Sequence, residues 1–294
     1  MASKFLVIIS VLLALFIISY FLSSIFNSNL DISDKIAIIP IKGMIVSEDS
    51  SVSFYQKGIS SSTIAGFLKS AIENKRVKGI ILEINSPGGT VVASKEIADI
   101  VKNSPKPVVA LIKDIGTSGA YWIASASDKI VADPLSITGS IGVIASYLEF
   151  SKLFEDYGIN YQSLKSGKFK DIGSPYKEMS SEEELMLQKK LDKIHEFFID
   201  QVSINRNIPK EKIQPLSTGI YYLGEEAYKN GLVDYLGNKD LAVNITKDLA
   251  GIKDAKLVTY KKESSLIDVL SSLSMSAFYS LGRGMVESNQ LSSH

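Results

Sequence analysis

From Lys35 onward, apolar positions along the chain switch between two rhythms, short continuous runs and stripes at helical spacing. Residues 35–46, KIAIIPIKGMIV, predict a strand, with Pro40 pointing to an edge position where a missing N–H is tolerated. A serine-rich loop follows from Ser47 to Ser62. Ile64, Phe67, Leu68, Ala71 and Ile72 then share a helical face, and Val77 to Ile84 is the unbroken apolar run of a parallel strand buried on both sides. Pro87, Gly88 and Gly89 open a second helix with Ala93, Ile97, Ile100 and Val101 on one face, and strands are expected at 107–113 and 129–132 around a short helix from Ser118. Repeated strand–helix units imply parallel strands covered by helices, so residues 35–160 read as an α/β layer structure.

Beyond Ser180 the rhythm is helical. Leu187, Leu191, Ile194 and Phe198 form a stripe, and Glu182, Glu183 and Glu184 lie near its N-terminus, where the helix dipole favours them. His195 lies beside this stripe and reads as a surface residue rather than a catalyst. Leu266 to Leu281 is apolar and serine-rich, suited to docking on its own domain, a neighbouring subunit or a membrane surface.

Ahead of all this, Phe5 to Phe26 carries no charge and is long enough for a helix to cross about 30 Å of hydrocarbon. A cleaved signal has a shorter apolar core and an A-x-A-like end, whereas this run ends in FNSNL, so an uncleaved anchor is expected. Lys4 before it and Asp31 and Asp34 after it place the N-terminus in the cytoplasm and the body outside. The expected organisation is a cytoplasmic N-terminus and anchor at 1–30, an α/β domain at 31–262, and a C-terminal apolar helix and tail at 263–294.

Composition narrows the chemistry. Thirty-two basic and 32 acidic residues balance, which gives no electrostatic drive toward nucleic acid. The chain has no cysteine and two histidines, His195 and His294. Thiol nucleophiles, zinc–thiolate sites and disulfides are excluded, and a histidine triad or metal cluster has almost no raw material. No metal or other cofactor is expected. Covalent catalysis would then rest on a serine or threonine with lysine as the principal remaining base.

Gly116-Thr117-Ser118-Gly119 stands between a strand and the apolar stretch Ala120 to Ala124, which puts Ser118 at the first turn of a buried helix. Two readings stand there: a simple N-cap, or a hydroxyl presented beside unpaired N–H groups. Gly119 follows the serine directly, so the spacing is not the G-x-S-x-G of an α/β-hydrolase. Asn85-Ser86-Pro87-Gly88-Gly89 ends a buried strand, where ligands gather in open α/β sheets. Either it is a plain turn, or its amides and that of Gly119 bind the oxyanion of a tetrahedral intermediate, typically worth about 3–4 kcal/mol per donor.

SPGG at 86–89, DIGTSGAYWIASASDKIVADP at 114–134, TGSIGVI at 138–144, SGKFKDIGSPYKEMSSEE at 166–183 and GIYYLGEEAYKNGLVDYLG at 219–237 together resemble the signal peptide peptidase family, over roughly residues 35–260. The resemblance implies a crotonase- and Clp-protease-like α/β fold with a helical C-terminal part. It further implies a Ser/Lys dyad of Ser118 as nucleophile and Lys170 as general base, with Ser140 orienting the lysine. Lys170 must be uncharged to accept a proton, which calls for a desolvated setting, and Asp171 is expected to point away from it. Implied too are a homo-oligomer with its active site at a subunit interface, and substrates that are remnant signal peptides or other extended apolar peptides bound as an added strand. The alternatives are a stomatin-associated membrane serine protease and a crotonase-like scaffold without proteolysis.

Overall fold

The computed structural model describes residues 10–19, 33–48, 51–53 and 56–261. Its centre is an eight-stranded sheet. In chain order the strands are β1 (Lys35–Lys42), β2 (Val77–Ser86), β3 (Val108–Thr117), β4 (Lys129–Ala132), β5 (Ile137–Gly139), β6 (Tyr221–Leu223), β7 (Tyr235–Leu236) and β8 (Lys256–Thr259). They lie in the order β6-β5-β3-β2-β1-β8, while β4 pairs with β3 and β7. Every pairing of this sheet is parallel except β5 with β6.

Alternation along β1 shows why the sheet is buried on both faces. Ala37, Ile39 and Ile41 face a large core with α1 (Ser61–Glu73), α2 (Val91–Lys102) and α3 (Gly119–Ser125). Ile36 and Ile38 face a smaller core closed by α6 (Lys239–Ala250) through Ala242. Successive side chains of a strand point to opposite faces, so an all-apolar strand requires a cover on each side.

Three expectations are corrected. First, β1 is an interior strand flanked by β2 and β8. The proline is tolerated because β8 pairs only as far as Ile38, whose carbonyl accepts from Tyr260 N at 2.9 Å. Pro40, two residues on, faces the same side past the end of β8, where no N–H is needed. Second, the serine-rich loop stops earlier than Ser62, because Ser60 caps α1 by accepting from Thr63 N at 3.2 Å. Third, the part beyond Ser180 is not purely helical. Between and after α4 (Ser181–Arg206), α5 (Gly224–Lys229) and α6 it contributes β6, β7 and β8 to the sheet.

Residues 10–19 are helical with exposed side chains, and no helix among the described residues is long and apolar enough to cross a membrane. The remainder of the expected anchor, at 5–9 and 20–26, and the apolar stretch of 263–294 lie outside the described residues.

One segment stands apart from both cores. From 142 to 182 no residue is buried, and large apolar side chains face solvent, Leu148 at 71 % and Tyr157 at 77 % exposure. The segment packs on itself instead, with Tyr176 stacked on Phe154 at 5.4 Å and close to Tyr161 at 4.8 Å.

Candidate active site

The register of three neighbouring parallel strands builds the site. Ser86 at the end of β2 pairs with Gly116, and Thr117 at the end of β3 pairs with Gly139 at the end of β5. The carboxyl ends of β2, β3 and β5 therefore lie side by side, and the chain leaves them through Pro87–Gly89, Ser118 and Ser140. Ligands of open α/β sheets collect at this edge. A groove of ≈ 480 Å³ opens there, lined among others by Gly89, Ser118, Gly119, Trp122, Ser140 and His195.

Ser118 does not have the geometry of a simple cap. An N-cap has extended backbone and a side-chain oxygen bonded back to the helix. Ser118 instead has φ 53° and ψ −125°, and its hydroxyl makes no capping bond. Its amide donates to Gly139 O at 2.8 Å, which fixes the residue in the lining of the groove. Ser140, the other serine with positive φ (51°), faces the same groove. Its amide donates to Ile220 O at 3.0 Å and its hydroxyl to Gly219 O at 2.9 Å. A non-glycine residue held at positive φ costs about 1–3 kcal/mol, and such outliers concentrate at functional sites.

The glycines are demanded by close approach. Gly88 has φ 101°, and a Cβ there would lie 2.8 Å from Gly119 N. A Cβ on Gly89 would lie 1.9 Å from Ile45 O, and one on Gly119 would meet Ser94 Oγ. The two turns are thus pressed together, and Thr117 Oγ1 ties them by donating to Pro87 O at 3.1 Å. The Gly88 N–H is already spent on Ser86 Oγ at 3.1 Å. The N–H groups of Gly89 and Gly119 have no acceptor among the described residues, the latter because it opens α3.

Lys170 is not brought to Ser118 within one chain. It sits in the turn after Gly167, exposed, and is not part of the groove lining. Its lysine neighbours are all paired: Lys165 with Asp171 at 2.6 Å, Lys168 with Glu182 at 2.6 Å, Lys177 with Glu183 at 2.5 Å. Among the described residues the Lys170 amine has no such partner. Asp171 directs its carboxylate to Lys165 and Lys177, and the hydrogen bond from Lys165, with that from Lys177, holds it below the usual carboxylate range.

His195, which reads from the sequence as a surface residue, instead lines the groove with Nε2 3.3 Å from Ile141 O. Its neighbour one turn on, Phe198, gives the only sequence hint: both fall on the face of α4 that meets α3, where Phe198 stacks on Trp122 at 4.7 Å and 13°. No cluster of three His, Asp or Glu placed to hold a metal occurs among the described residues.

A mainly parallel α/β sheet of this kind, matched over residues 50–134 by the Clp protease family, carries a serine peptidase. More narrowly, the chain belongs to peptidase family S49, whose profile matches residues 100–253. A protease of Methanocaldococcus jannaschii is 37 % identical over 213 residues, covering 72 % of this chain and 68 % of its own. A protein of Enterococcus faecium named as signal peptide peptidase SppA is 35 % identical over 234 residues, 79 % of this chain and 68 % of its own. The chloroplastic serine protease SPPA of Arabidopsis thaliana is 32 % identical and covers 83 % of this chain, which spans 37 % of that longer protein. Among solved structures, a serine-to-alanine mutant of the membrane-bound stomatin-specific protease 1510-N superposes with TM-score 0.54 at 14 % identity, covering 79 % of this chain and 99 % of that one. That likeness concerns the fold alone.

Proposed function

We propose that this SppA-type serine peptidase is a membrane-anchored endopeptidase in which Ser118 attacks the peptide carbonyl and Lys170 takes its proton. The observation that carries the reading is Ser118 itself, a serine held at positive φ whose hydroxyl makes no capping bond and which lines the groove together with Gly89 and Gly119, whose amides are open. In the first step the Ser118 Oγ–carbon bond forms, the proton passes to the Lys170 amine, and the carbonyl oxygen becomes an oxyanion. The N–H groups of Gly89 and Gly119 receive that oxyanion, while Gly88 supplies the turn that aims them. Collapse breaks the C–N bond with the proton returned to the leaving amine, and water then hydrolyses the acyl-enzyme by the same base. Ser140 orients the lysine.

A lysine amine is cationic in water, so the base must be covered and kept from carboxylates. Lys170 meets the second condition already. The first is supplied, in this reading, by a neighbouring subunit of a homo-oligomer, for which the unburied apolar segment 142–182 is the natural contact. The apolar walls formed by Trp122, Phe198, Val91 and Ile144 suit extended apolar peptides such as remnant signal peptides. The apolar N-terminus would anchor the chain, with the peptidase domain outside the cytoplasm.

The full chain in detergent should cleave an apolar peptide, and Ser118→Ala and Lys170→Ala should each lower turnover by more than a thousandfold while melting like the wild type. Full activity of Lys170→Ala would dismiss the dyad.

A further inference from the structure

Helix α4 approaches the site from outside the sheet and touches both sides of Ser118. Phe198 packs on Trp122 in the helix that Ser118 opens. One turn earlier on the same face, His195 reaches the turn that carries Ser140. A carbonyl oxygen can only accept, so the ring nitrogen facing Ile141 O must bear a proton, and the neutral ring is the Nε2–H tautomer. Both the neutral and the cationic ring make this bond. Ile141 O also accepts from Gly219 N at 3.1 Å, next to the two bonds that hold Ser140. The preceding residue of the turn, Gly139, has φ 74° and accepts the Ser118 amide. Three consecutive residues, Gly139 to Ile141, thus carry one side of the site, and one of them, Ser140 at φ 51°, is a residue with a Cβ in left-handed backbone that its surroundings must hold.

We infer that His195 is a positioning residue of the peptidase site: by donating Nε2–H to the Ile141 carbonyl it pins the Gly139–Ile141 turn to α4, and through that turn it sets Ser140 and the amide of Ser118. The inference rests on the reading of Ser118 as nucleophile. It assigns the imidazole no proton transfer, since the nitrogen nearest the turn is committed to a carbonyl in either charge state.

Two measurements on the full chain test it. With only His195 and His294 in the sequence, selective ¹⁵N-histidine labelling compared with a His294→Gln variant isolates the His195 ring. The Nε2–H tautomer is expected at neutral pH, and an Nδ1–H tautomer would overturn the proposal without reference to activity. In peptide cleavage, His195→Ala should lower kcat about tenfold with KM within about twofold, as expected when reacting groups drift rather than when binding is lost. His195→Gln places a donor near Nε2 and should recover to within about threefold, with the acid limb of the pH profile unmoved. Wild-type kcat in His195→Ala, failure of a folded His195→Gln to recover, or loss of the acid limb in His195→Gln would each refute the positioning role. A wild-type protein inert toward peptides would instead sink the peptidase reading, with the tautomer still deciding the hydrogen bond.

Discussion

Ser118 keeps a conformation that its own Cβ opposes, and this makes its two simplest replacements informative. Alanine retains the Cβ and the strain of φ 53° with ψ −125°, whereas glycine removes both. Relief of about 1–3 kcal/mol, set against about 0.5–1 kcal/mol of added chain entropy, should leave Ser118→Gly more stable than Ser118→Ala by about 1 kcal/mol, with neither expected to cleave peptide under the proposed mechanism. Equal melting temperatures would mean the serine is not held under strain. Gly89 presents the opposite case: an added Cβ would run into Ile45 backbone on several atoms, which cannot rotate away, so Gly89→Ala should cost about 2–3 kcal/mol in denaturant unfolding. The serine and the two glycine turns were visible in the sequence because a hydroxyl or a missing Cβ at a strand end is a local signal. What set Ser118 apart from a plain cap was backbone geometry, which no residue letter records. His195 was invisible for a different reason, since its partner is the carbonyl of Ile141, a group every residue carries.

Among the elements, helix α4 joins two environments. Its second half is buried through Phe198, Ile199 and Val202, while its start is fixed by a capping box in which Ser180 Oγ accepts from Glu183 N at 3.3 Å and Glu183 receives the Ser180 N–H at 3.0 Å. The same Glu183 binds Lys177, and Lys177 and Lys165 bind Asp171, so the unburied segment is latched to the helix by ion pairs rather than by a core. The Lys177 hydrogen bond, with the Ser180 amide, holds Glu183 below its ordinary range, as Lys165 does for Asp171. A carboxyl depressed in the folded state stabilises above its unfolded pKa of about 4, and that contribution fades as pH falls through the folded value. Lys177, raised chiefly by Glu183, contributes fully below about pH 10 and loses its part on rising through its folded value. Amide exchange across 165–183, corrected for its intrinsic pH dependence, should therefore rise below about pH 4 and be raised at neutral pH by Lys177→Ala. Unchanged exchange in that variant would show that the segment is held by something else. Long apolar runs announced β2 and β3 in the sequence, but β6, β7 and β8 have two to four residues each. Such strands exist because neighbours offer open edges, so periodicity had nothing to detect.

For the whole molecule, the decisive relation is the one a single chain leaves open: a serine pinned at the carboxyl edge of the sheet and a lysine with no ion-pair partner among the described residues, on a segment with no core of its own. Covering apolar surface and desolvating an amine are favourable and costly respectively, and one event, contact with a second copy, would do both. This leads to a test that needs no structure. Ser118→Ala and Lys170→Ala proteins, each expected to be inactive alone under the proposed mechanism, are dissociated, mixed and reassembled. If the dyad spans two subunits, mixed assemblies contain sites where an intact Ser118 from one variant meets an intact Lys170 from the other, and random mixing in equal amounts should restore about a quarter of wild-type turnover. If both residues act within one chain, every site lacks one of them and mixing restores nothing. The outcome therefore separates an oligomer that merely tethers peptidase domains from one in which the neighbour completes the chemistry.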